Sequence, residues 1–185
     1  MWQNSVKEHE AKMKKAVEAT VHEFARLRTG RANPALLDTL RVEYYGALTP
    51  LKQLATISAP EPRMMVIQPF DAGSVAAIGQ AIQAGDLGLT PIIEGKMIRV
   101  PVPALSKERR EELVKVVKKV AEDGRVSIRN ARREGNEEIK KLEKDKKITE
   151  DDRKKAEDLM QKATDANTKA VDDLATSKEK ELMTV

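Results

Sequence analysis

Apolar and small residues recur every three or four positions through the longest regular stretch of the chain. From Ser106 to about Lys147 there is no proline, and one helical face carries Leu113, Val117, Val120, Gly124, Ile128, Ala131, Gly135, Ile139 and Leu142. At about 1.5 Å per residue, this stretch predicts a helical rod on the order of 60 Å long, with Ser106 as its N-cap.

Two further segments have the same period. Residues 5–28 place Val6, Met13, Val17, Val21, Phe24 and Leu27 on one face. A last helix, capped by Thr149 with an acidic residue three positions later, extends to about Met183. Its predicted inner face is Ala156, Leu159, Met160, Ala163, Ala166, Ala170, Leu174 and Leu182. Three amphipathic helices that cannot bury their stripes alone predict a long antiparallel three-helix bundle.

Between residues 40 and 102 the pattern changes to short runs bounded by proline and glycine. These runs predict strands at residues 40–44, 51–57, 64–67, 91–93 and 97–100. Ser74 predicts the cap of a helix through about Ala84, and Glu94-Gly95-Lys96 predicts a hairpin turn. The segment is therefore interpreted as a small β/α/β domain, and the fold class as α+β.

The first helix precedes this domain and the other two follow it, so the bundle is discontinuous in sequence. We expect residues 1–29 and 105–185 to form the bundle and residues 32–102 to form the inserted domain. Two adjacent linkers at 29–31 and 101–104 permit the interdomain angle to vary, which predicts a hinge. Its residues are Thr29, Gly30, Arg31, Pro101, Val102, Pro103 and Ala104.

Composition argues against catalysis. The chain has no cysteine, which excludes disulfides, thiolate zinc sites and cysteine nucleophiles. His9 and His22 lie more than a quarter-turn apart on the first helix, so we interpret both as surface residues. Neither a dinucleotide fingerprint nor a GK[ST] phosphate loop occurs. We expect no catalytic residues, no metal and no cofactor; a carboxylate–metal hydrolase is the enzymatic alternative.

The location of the protein follows from two further features. No apolar run approaches the roughly 18 residues of a membrane span, and the N-terminal residues lack the apolar segment of a signal peptide. We therefore expect a cytoplasmic protein without a membrane partner. Its five aromatic residues are too few for a module that stacks single-stranded bases on several rings.

A basic stripe lies beside the apolar stripe of the long helix. Although 34 Lys and Arg are nearly balanced by 30 Asp and Glu, the run from Arg125 to Arg133 favours arginine, whose planar fork pairs phosphates bidentately. Structured RNA contacted through its backbone is the partner that this pattern favours. A solvated face balanced by glutamates and a coiled-coil adaptor for a partner helix are the alternatives. The stripe comprises Arg110, Lys118, Arg125, Arg129, Arg132 and Lys140, and a second cluster comprises Arg26, Arg28 and Arg31.

Five ordered motifs carry a resemblance to a known family. They are LRTGRANPALLD at 27–38, VEYYG at 42–46 followed by TPL at 49–51, DLGL at 86–89, RVPVPAL at 99–105 leading into ERR at 108–110, and RNARR at 129–133. Along essentially its whole length, the chain resembles the bacterial ribosome recycling factor. That resemblance implies an L-shaped, tRNA-like molecule with a hinge between bundle and small domain.

The resemblance also implies a function. Such a protein is a non-enzymatic translation factor that disassembles the post-termination ribosome into subunits, releasing mRNA and tRNA. Its implied partners are the large ribosomal subunit with its rRNA and elongation factor G, which uses the GTP. We expect a monomer that binds no DNA.

Residue roles are also implied by the motif match. The rRNA-binding residues would be Arg110, Arg129, Arg132 and Arg133, with Arg28 and Arg31 as weaker candidates and Arg125 added from the local run. The joint would be set by Gly30, Pro101 and Pro103. One departure is Gly135, where a better helix former is expected.

Overall fold

The computed structural model describes residues 2–184; Met1 and Val185, which the predicted bundle includes, lie outside the described residues. The chain divides into two compact units, Met1–Phe24 with Glu112–Glu181, and Ala25–Glu111 with Leu182–Val185. Long helices and antiparallel sheets occur together, which confirms the α+β class.

The regular elements follow one another in this order. They are α1 (Trp2–Arg26), β1 (Arg41–Tyr44), β2 (Ala47–Pro50), α2 (Leu51–Leu54), β3 (Ala55–Glu61), β4 (Met64–Pro69), α3 (Val75–Ala84), β5 (Ile92–Glu94), β6 (Met97–Pro101), α4 (Lys107–Lys144) and α5 (Glu150–Thr184), with 3₁₀ turns at Pro34–Leu37 and Ala72–Ser74.

The first unit is built from most of α1, α4 and α5. The predicted stripe of α4 is buried, except that Ala121 replaces Val120 in the core and Leu142 is half-buried. Contacts between α4 and α5 pair Glu143 with Arg153, Arg132 with Gln161, and Arg125 with Asp172. Residue numbers rise along one helix as they fall along the other, so α4 and α5 are antiparallel, as predicted.

The ends of α4 and α5 follow the predicted capping chemistry. Ser106 Oγ accepts from Arg109 N at 3.2 Å, and the backbone N–H of Asp152 donates to Thr149 Oγ1 at 3.1 Å. Between the helices, Lys146 has a φ of 58°, and the Lys147 N–H donates back to the Leu142 carbonyl at 2.9 Å. This left-handed residue stops α4 and reverses the chain.

The buried face of α5 differs from the predicted one. Leu159 is 45% exposed, and Ala166 is also exposed, whereas Thr164 and Asn167 are buried. Both polar side chains donate to carbonyls one turn earlier, at 2.8 Å for Thr164 and 2.7 Å for Asn167. A buried polar group is tolerated when it is hydrogen-bonded, and an apolar pattern cannot reveal this.

His9 and Gly135 are neighbours in the bundle core, and the missing side chain of Gly135 leaves room for the His9 ring. The prediction that His9 lies on the surface is wrong, since it is 3% exposed and its Nδ1 lies 2.9 Å from the Ser5 carbonyl oxygen. A Cβ added at Gly135 would come within 3.0 Å of His9 Cγ and closer still to Met160 Cε. The glycine weakens α4 locally but lets α1 and α5 approach it closely. His22 is exposed, as predicted.

The second unit contains a four-stranded antiparallel sheet in the order β3-β4-β6-β5, with a separate β1–β2 hairpin. The predicted 94–97 hairpin is confirmed, because Glu94 pairs with Met97. Strand β2 was not predicted; Tyr45 (φ 48°) and Gly46 (φ 77°) form the two-residue turn that leads into it. The core is centred on Leu37, Val42, Leu51, Met65, Ile67, Ile78, Ile82, Ile98 and Val100.

Two local predictions in this unit need correction. Residues 51–54 form the helical turn α2 rather than strand, and β3 begins at Ala55 and continues through Pro60. That proline is tolerated because β3 is an edge strand. The side chain of Ser74 does not cap α3; it donates to the Asp71 carbonyl at 2.7 Å, and Asp71 Oδ1 accepts from the Gly73 N–H.

Replacing Gly124 tests the close packing of α1 on α4. A Cβ there would lie 2.6 Å from Thr20 Oγ1, which donates to the Ala16 carbonyl. We expect Gly124→Ala to lower the free energy of unfolding by about 1–2 kcal/mol in urea denaturation. In a Thr20→Ala background, the same substitution should be neutral or stabilising by up to about 1 kcal/mol, because alanine favours helix. Equal losses in both backgrounds would show that Thr20 is not the obstacle.

Candidate nucleic-acid interface

A shallow groove of about 490 Å³ lies in the first unit, along α4 and one residue of α5. Four of its lining side chains are cationic and one is acidic. The α4 members recur at helical spacing beside the buried stripe, so packing that stripe turns them outward together. The lining comprises Arg129, Asn130, Arg132, Arg133, Asn136, Glu137, Lys140 and Gln161.

Arg125 does not line the groove. Its Nε donates to Asp172 Oδ1 on α5 at 2.7 Å, and its Nη1 donates to Glu122 Oε2 at 3.0 Å. The side chain is 27% exposed, and the bond to Asp172 holds the pKa of the guanidinium above its usual range. Arg125 therefore joins α4 to α5 through Asp172, and it also pairs with Glu122 on its own helix.

Arg129 is an intermediate case. Its Nη2 donates to Glu122 Oε1 at 2.5 Å, yet the side chain is 50% exposed and lines the groove. Hydrogen bonds from Arg129, and secondly from Arg125, lower the pKa of Glu122. Because exposed ion pairs contribute only about 0–1 kcal/mol, an incoming phosphate can compete with this carboxylate.

Arg132 and Arg133 present their charge most freely. Arg132 is half-buried, and its Nη1 donates to the neutral Gln161 Oε1 at 3.1 Å. Arg133 and Lys140 are exposed, and neither forms a salt bridge with any residue between 2 and 184. The groove cations that form no salt bridge within residues 2–184 therefore lie at its Arg132–Lys140 end, which also carries the acidic Glu137.

The other predicted arginines lie outside the groove. Arg110 is half-buried on the first turns of α4, and Arg31 is exposed in the second unit. Arg28 Nη2 donates to the Asp86 carbonyl at 2.9 Å, and a Cβ added at Gly88 would lie 3.1 Å from Arg28 Nη1. Arg28 thus holds the 85–88 turn in place. This contact connects the motif at 27–38 with the motif at 86–89 inside the second unit.

The first predicted hinge segment is held within the second unit. Thr29 is 2% exposed, and Gly30 is buried with a φ of 79°, a conformation that favours glycine. From Ala32 onward the chain is tied down, since its N–H donates to the Pro62 carbonyl at 2.7 Å.

The second predicted hinge segment is hydrogen-bonded to the same turn as Ala32, the turn between β3 and β4. Pro101 ends β6, and the buried Val102 donates its N–H to the Arg63 carbonyl at 2.9 Å. Pro103 and Ala104 are exposed and lie outside regular structure. Of the four residues in this predicted segment, two are therefore held by the sheet.

Four groove residues were not predicted, namely Asn130, Asn136, Glu137 and Gln161. Asn130 and Asn136 share the helical period of the basic stripe, so a search of that face for polar residues of any charge finds them. Gln161 lies on α5, and no local pattern in the sequence links it to Arg132. Only the packing of the two helices brings it there.

The described residues contain neither a metal cluster nor a membrane-spanning helix. Within residues 2–184, no cluster of three or more His, Cys, Asp or Glu side chains is arranged to hold a metal ion. None of the helices in the same range combines the length and apolar composition that crossing a bilayer requires.

Comparison with known proteins identifies the relatives of the chain. The sequence profile described as ribosome recycling factor matches residues 20–183. The ribosome-recycling factor of Carboxydothermus hydrogenoformans is 53% identical over the full length of both chains, and that of Halalkalibacterium halodurans is 51% identical over 95% of each.

Solved structures agree with this relationship. A solution structure of a ribosome recycling factor has a TM-score of 0.80, with 46% identity over 100% of this chain and 98% of that one. A second, with a TM-score of 0.71 and 46% identity over 98% of each chain, is described as T. thermophilus ribosome recycling factor and E. coli elongation factor G bound to the E. coli post-termination complex.

The helix bundle, the small β-rich unit and these relatives together define a non-enzymatic translation factor. The chain belongs to the ribosome recycling factor family, and the resemblance carried by its motifs is confirmed.

The Glu122 carboxylate offers a test of the electrostatics along α4. Its pKa lies below the ordinary value of 4.5, chiefly because Arg129 donates to it. Its pairing therefore stabilises the fold fully above the unfolded-state pKa, and this contribution is lost as pH falls through the lower folded-state pKa. In an NMR titration of the Glu122 side chain, Arg129→Ala should raise the midpoint. Arg133→Ala, which removes the same charge from the same helix, should leave it nearly unchanged; equal shifts would contradict this assignment.

Proposed function

We propose that the chain, whose family membership makes ribosome recycling its function, binds rRNA of the large ribosomal subunit through the α4 groove. The observation that carries this proposal is the free charge of Arg132, Arg133 and Lys140 on one side of a rigid helix. The site residues are Arg129, Arg132 and Arg133, with Arg110, Arg28 and Arg31 as further contacts outside the groove.

Structured RNA suits this groove for electrostatic reasons. Folded RNA is bound largely through its phosphates and 2′-hydroxyls, and arginine pairs phosphate bidentately. The groove is lined by long cationic and amide side chains, and contains no aromatic ring on which an unstacked base could lie. Binding of this kind depends strongly on salt because each neutralised phosphate releases counterions.

A protein partner follows from one of the related structures. That structure is described as holding a ribosome recycling factor and elongation factor G on a post-termination complex. We infer that this chain likewise acts as a monomer with elongation factor G in the cytoplasm. The partner uses GTP, subunits separate, and mRNA and tRNA are released.

The proposed mechanism needs a joint between two domains. We propose that residues 1–29 and 105–185 form the bundle and that residues 32–102 form the domain on which elongation factor G exerts force. The hinge between them lies at 29–31 and 101–104. Gly30 supports this role because its positive φ allows a change of chain direction that other residues adopt at a cost. The bonds from Ala32 and Val102 hold one end of each segment to the second unit, which supports placing the moving part of the hinge at residues 29–31 and 103–104.

A coiled-coil adaptor is the second candidate, and one surface favours it. A groove of about 480 Å³ between α1 and α5 is lined partly by Trp2, Val6 and Leu159. An apolar partner helix seated there would bind with little dependence on salt. Salt titration therefore separates the two candidates.

Arginine substitutions on α4 test the RNA interface. Arg132→Ala and Arg133→Ala should each weaken binding to purified large ribosomal subunits by about 1–3 kcal/mol, because each removes a charge-assisted contact. Each should also reduce the slope of log affinity against log salt by about one unit. Fluorescence anisotropy of labelled protein at several KCl concentrations measures both quantities.

Arg125→Ala is the matched control for these variants. It removes the same residue type from the same helix, but from a side chain already paired with Glu122 and Asp172. We expect its subunit affinity to stay within about twofold of the parent, since the bonds that it removes are internal. If all three variants lose the same affinity, long-range charge rather than the groove determines binding. Unchanged affinity in all three would refute the RNA interface.

A pair of glycines tests the joint. Gly30 and Gly46 have nearly the same φ, 79° and 77°, so alanine strains both by about 1 kcal/mol. We expect Gly30→Ala to slow subunit splitting several-fold, measured by light scattering with elongation factor G and GTP, while large-subunit affinity is unchanged. Gly46→Ala, in the open β1–β2 turn, should split at the parental rate. Equal rates for both variants would remove Gly30 from the mechanism.

A further inference from the structure

We infer that Gln161 on α5 is a positioning residue that orients the Arg132 guanidinium toward RNA, assisted by Asp165. This inference rests on the proposed rRNA interface and deepens it, because it assigns a role in that interface to a second helix. Gln161 belongs to none of the motifs that carry the family resemblance.

Three side chains form a directed series. Asp165 Oδ1 accepts from Gln161 Nε2 at 2.8 Å, and Gln161 Oε1 accepts from Arg132 Nη1 at 3.1 Å. An ionised carboxylate can only accept and a guanidinium can only donate, so the series has one orientation. Asp165 thereby turns the Gln161 amide so that its oxygen, and not its nitrogen, meets Arg132.

A neutral hydrogen-bond acceptor leaves the positive charge of an arginine intact, whereas a carboxylate offsets it. Arg125 and Arg129 donate to carboxylates, which offset their positive charge. Gln161 holds Arg132 without offsetting its charge and engages only one of its N–H groups. The remaining donors are available for a phosphate.

Holding the side chain in advance favours binding. A free arginine loses rotamer freedom when it pairs with a phosphate, and a side chain already held by a neighbour loses less. Arg132 is half-buried against α5 rather than extended into solvent like Arg133. The geometry therefore makes Arg132 the prearranged contact of the groove and Arg133 the adaptable one.

A double-mutant cycle tests this role. Gln161→Ala in the full chain should weaken binding to purified Bacillus subtilis large ribosomal subunits about threefold to tenfold at fixed salt, the range expected for one net hydrogen bond. In an Arg132→Ala background, the same substitution should have no further effect. Gln161→Ala should leave the salt slope unchanged, since it removes no charge.

The test of Asp165 needs a control variant that removes the same negative charge elsewhere on α5. Asp165→Ala removes a negative charge from α5, which by itself strengthens RNA binding. Asp173→Ala removes the same charge two turns further along α5, from an exposed pair with Lys169. We expect Asp165→Ala to bind about twofold or more weaker than Asp173→Ala, because only Asp165 orients Gln161.

The outcomes separate this inference from the proposed interface. If Arg132→Ala weakens binding but Gln161→Ala does not, or if Gln161→Ala acts equally in both backgrounds, Gln161 has no positioning role although the interface remains. If Arg132→Ala itself has no effect, the interface is wrong and the inference fails with it. Circular dichroism melting of each variant within about 2 °C of the parent shows that the fold is retained.

Discussion

The close packing of α1 and α5 against α4 determines how the bundle presents its charge. At Gly124 and Gly135 the neighbouring helices occupy the space that a side chain would need, and Thr20, His9 and Met160 fill it. Interiors packed at this density tolerate little displacement. The close packing therefore sets the rotation of α4 about its axis, and with it the direction of the cationic side chains beside the buried stripe.

Side chains on both α4 and α5 decide how much of the charge of each arginine on that face is offset. Carboxylates on α4 and α5 engage Arg125 and Arg129, whereas within residues 2–184 Arg132 donates to the neutral amide of Gln161 and to no carboxylate. Arginines that look equivalent in a helical projection thus differ in how much positive potential they offer a phosphate. In a chain with almost balanced charge, such a local imbalance creates the positively charged surface that we propose as the RNA interface.

In the second unit, backbone hydrogen bonds hold the two connecting segments in place. The connections at Ala32 and Val102 are both held by the turn between β3 and β4, and Arg28 holds the 85–88 turn. These contacts explain why the sequence motifs around the connections contain glycine, proline and arginine together. Glycine permits the left-handed turn, proline ends the strand, and arginine spans to a distant carbonyl.

Much of the fold was determined by local patterns that the sequence carries by itself. The period of α4, the caps at Ser106 and Thr149, and the turn at Gly95 depend on neighbours within a few residues, so they are predicted correctly. The family motifs also belong to the sequence. The basic stripe was visible as well, because a helix repeats every 3.6 residues.

Other features were decided only by tertiary structure. The buried polar residues of α5, the buried His9, the hairpin partner β2 and the meeting of Gln161 with Arg132 depend on contacts between residues far apart in sequence. A polar residue is tolerated in a core when a carbonyl accepts its hydrogen bond, and the pairing of Arg125 with Asp172 depends on the neighbouring helix. No pattern along one helix contains that information, because it lies in the packing of several.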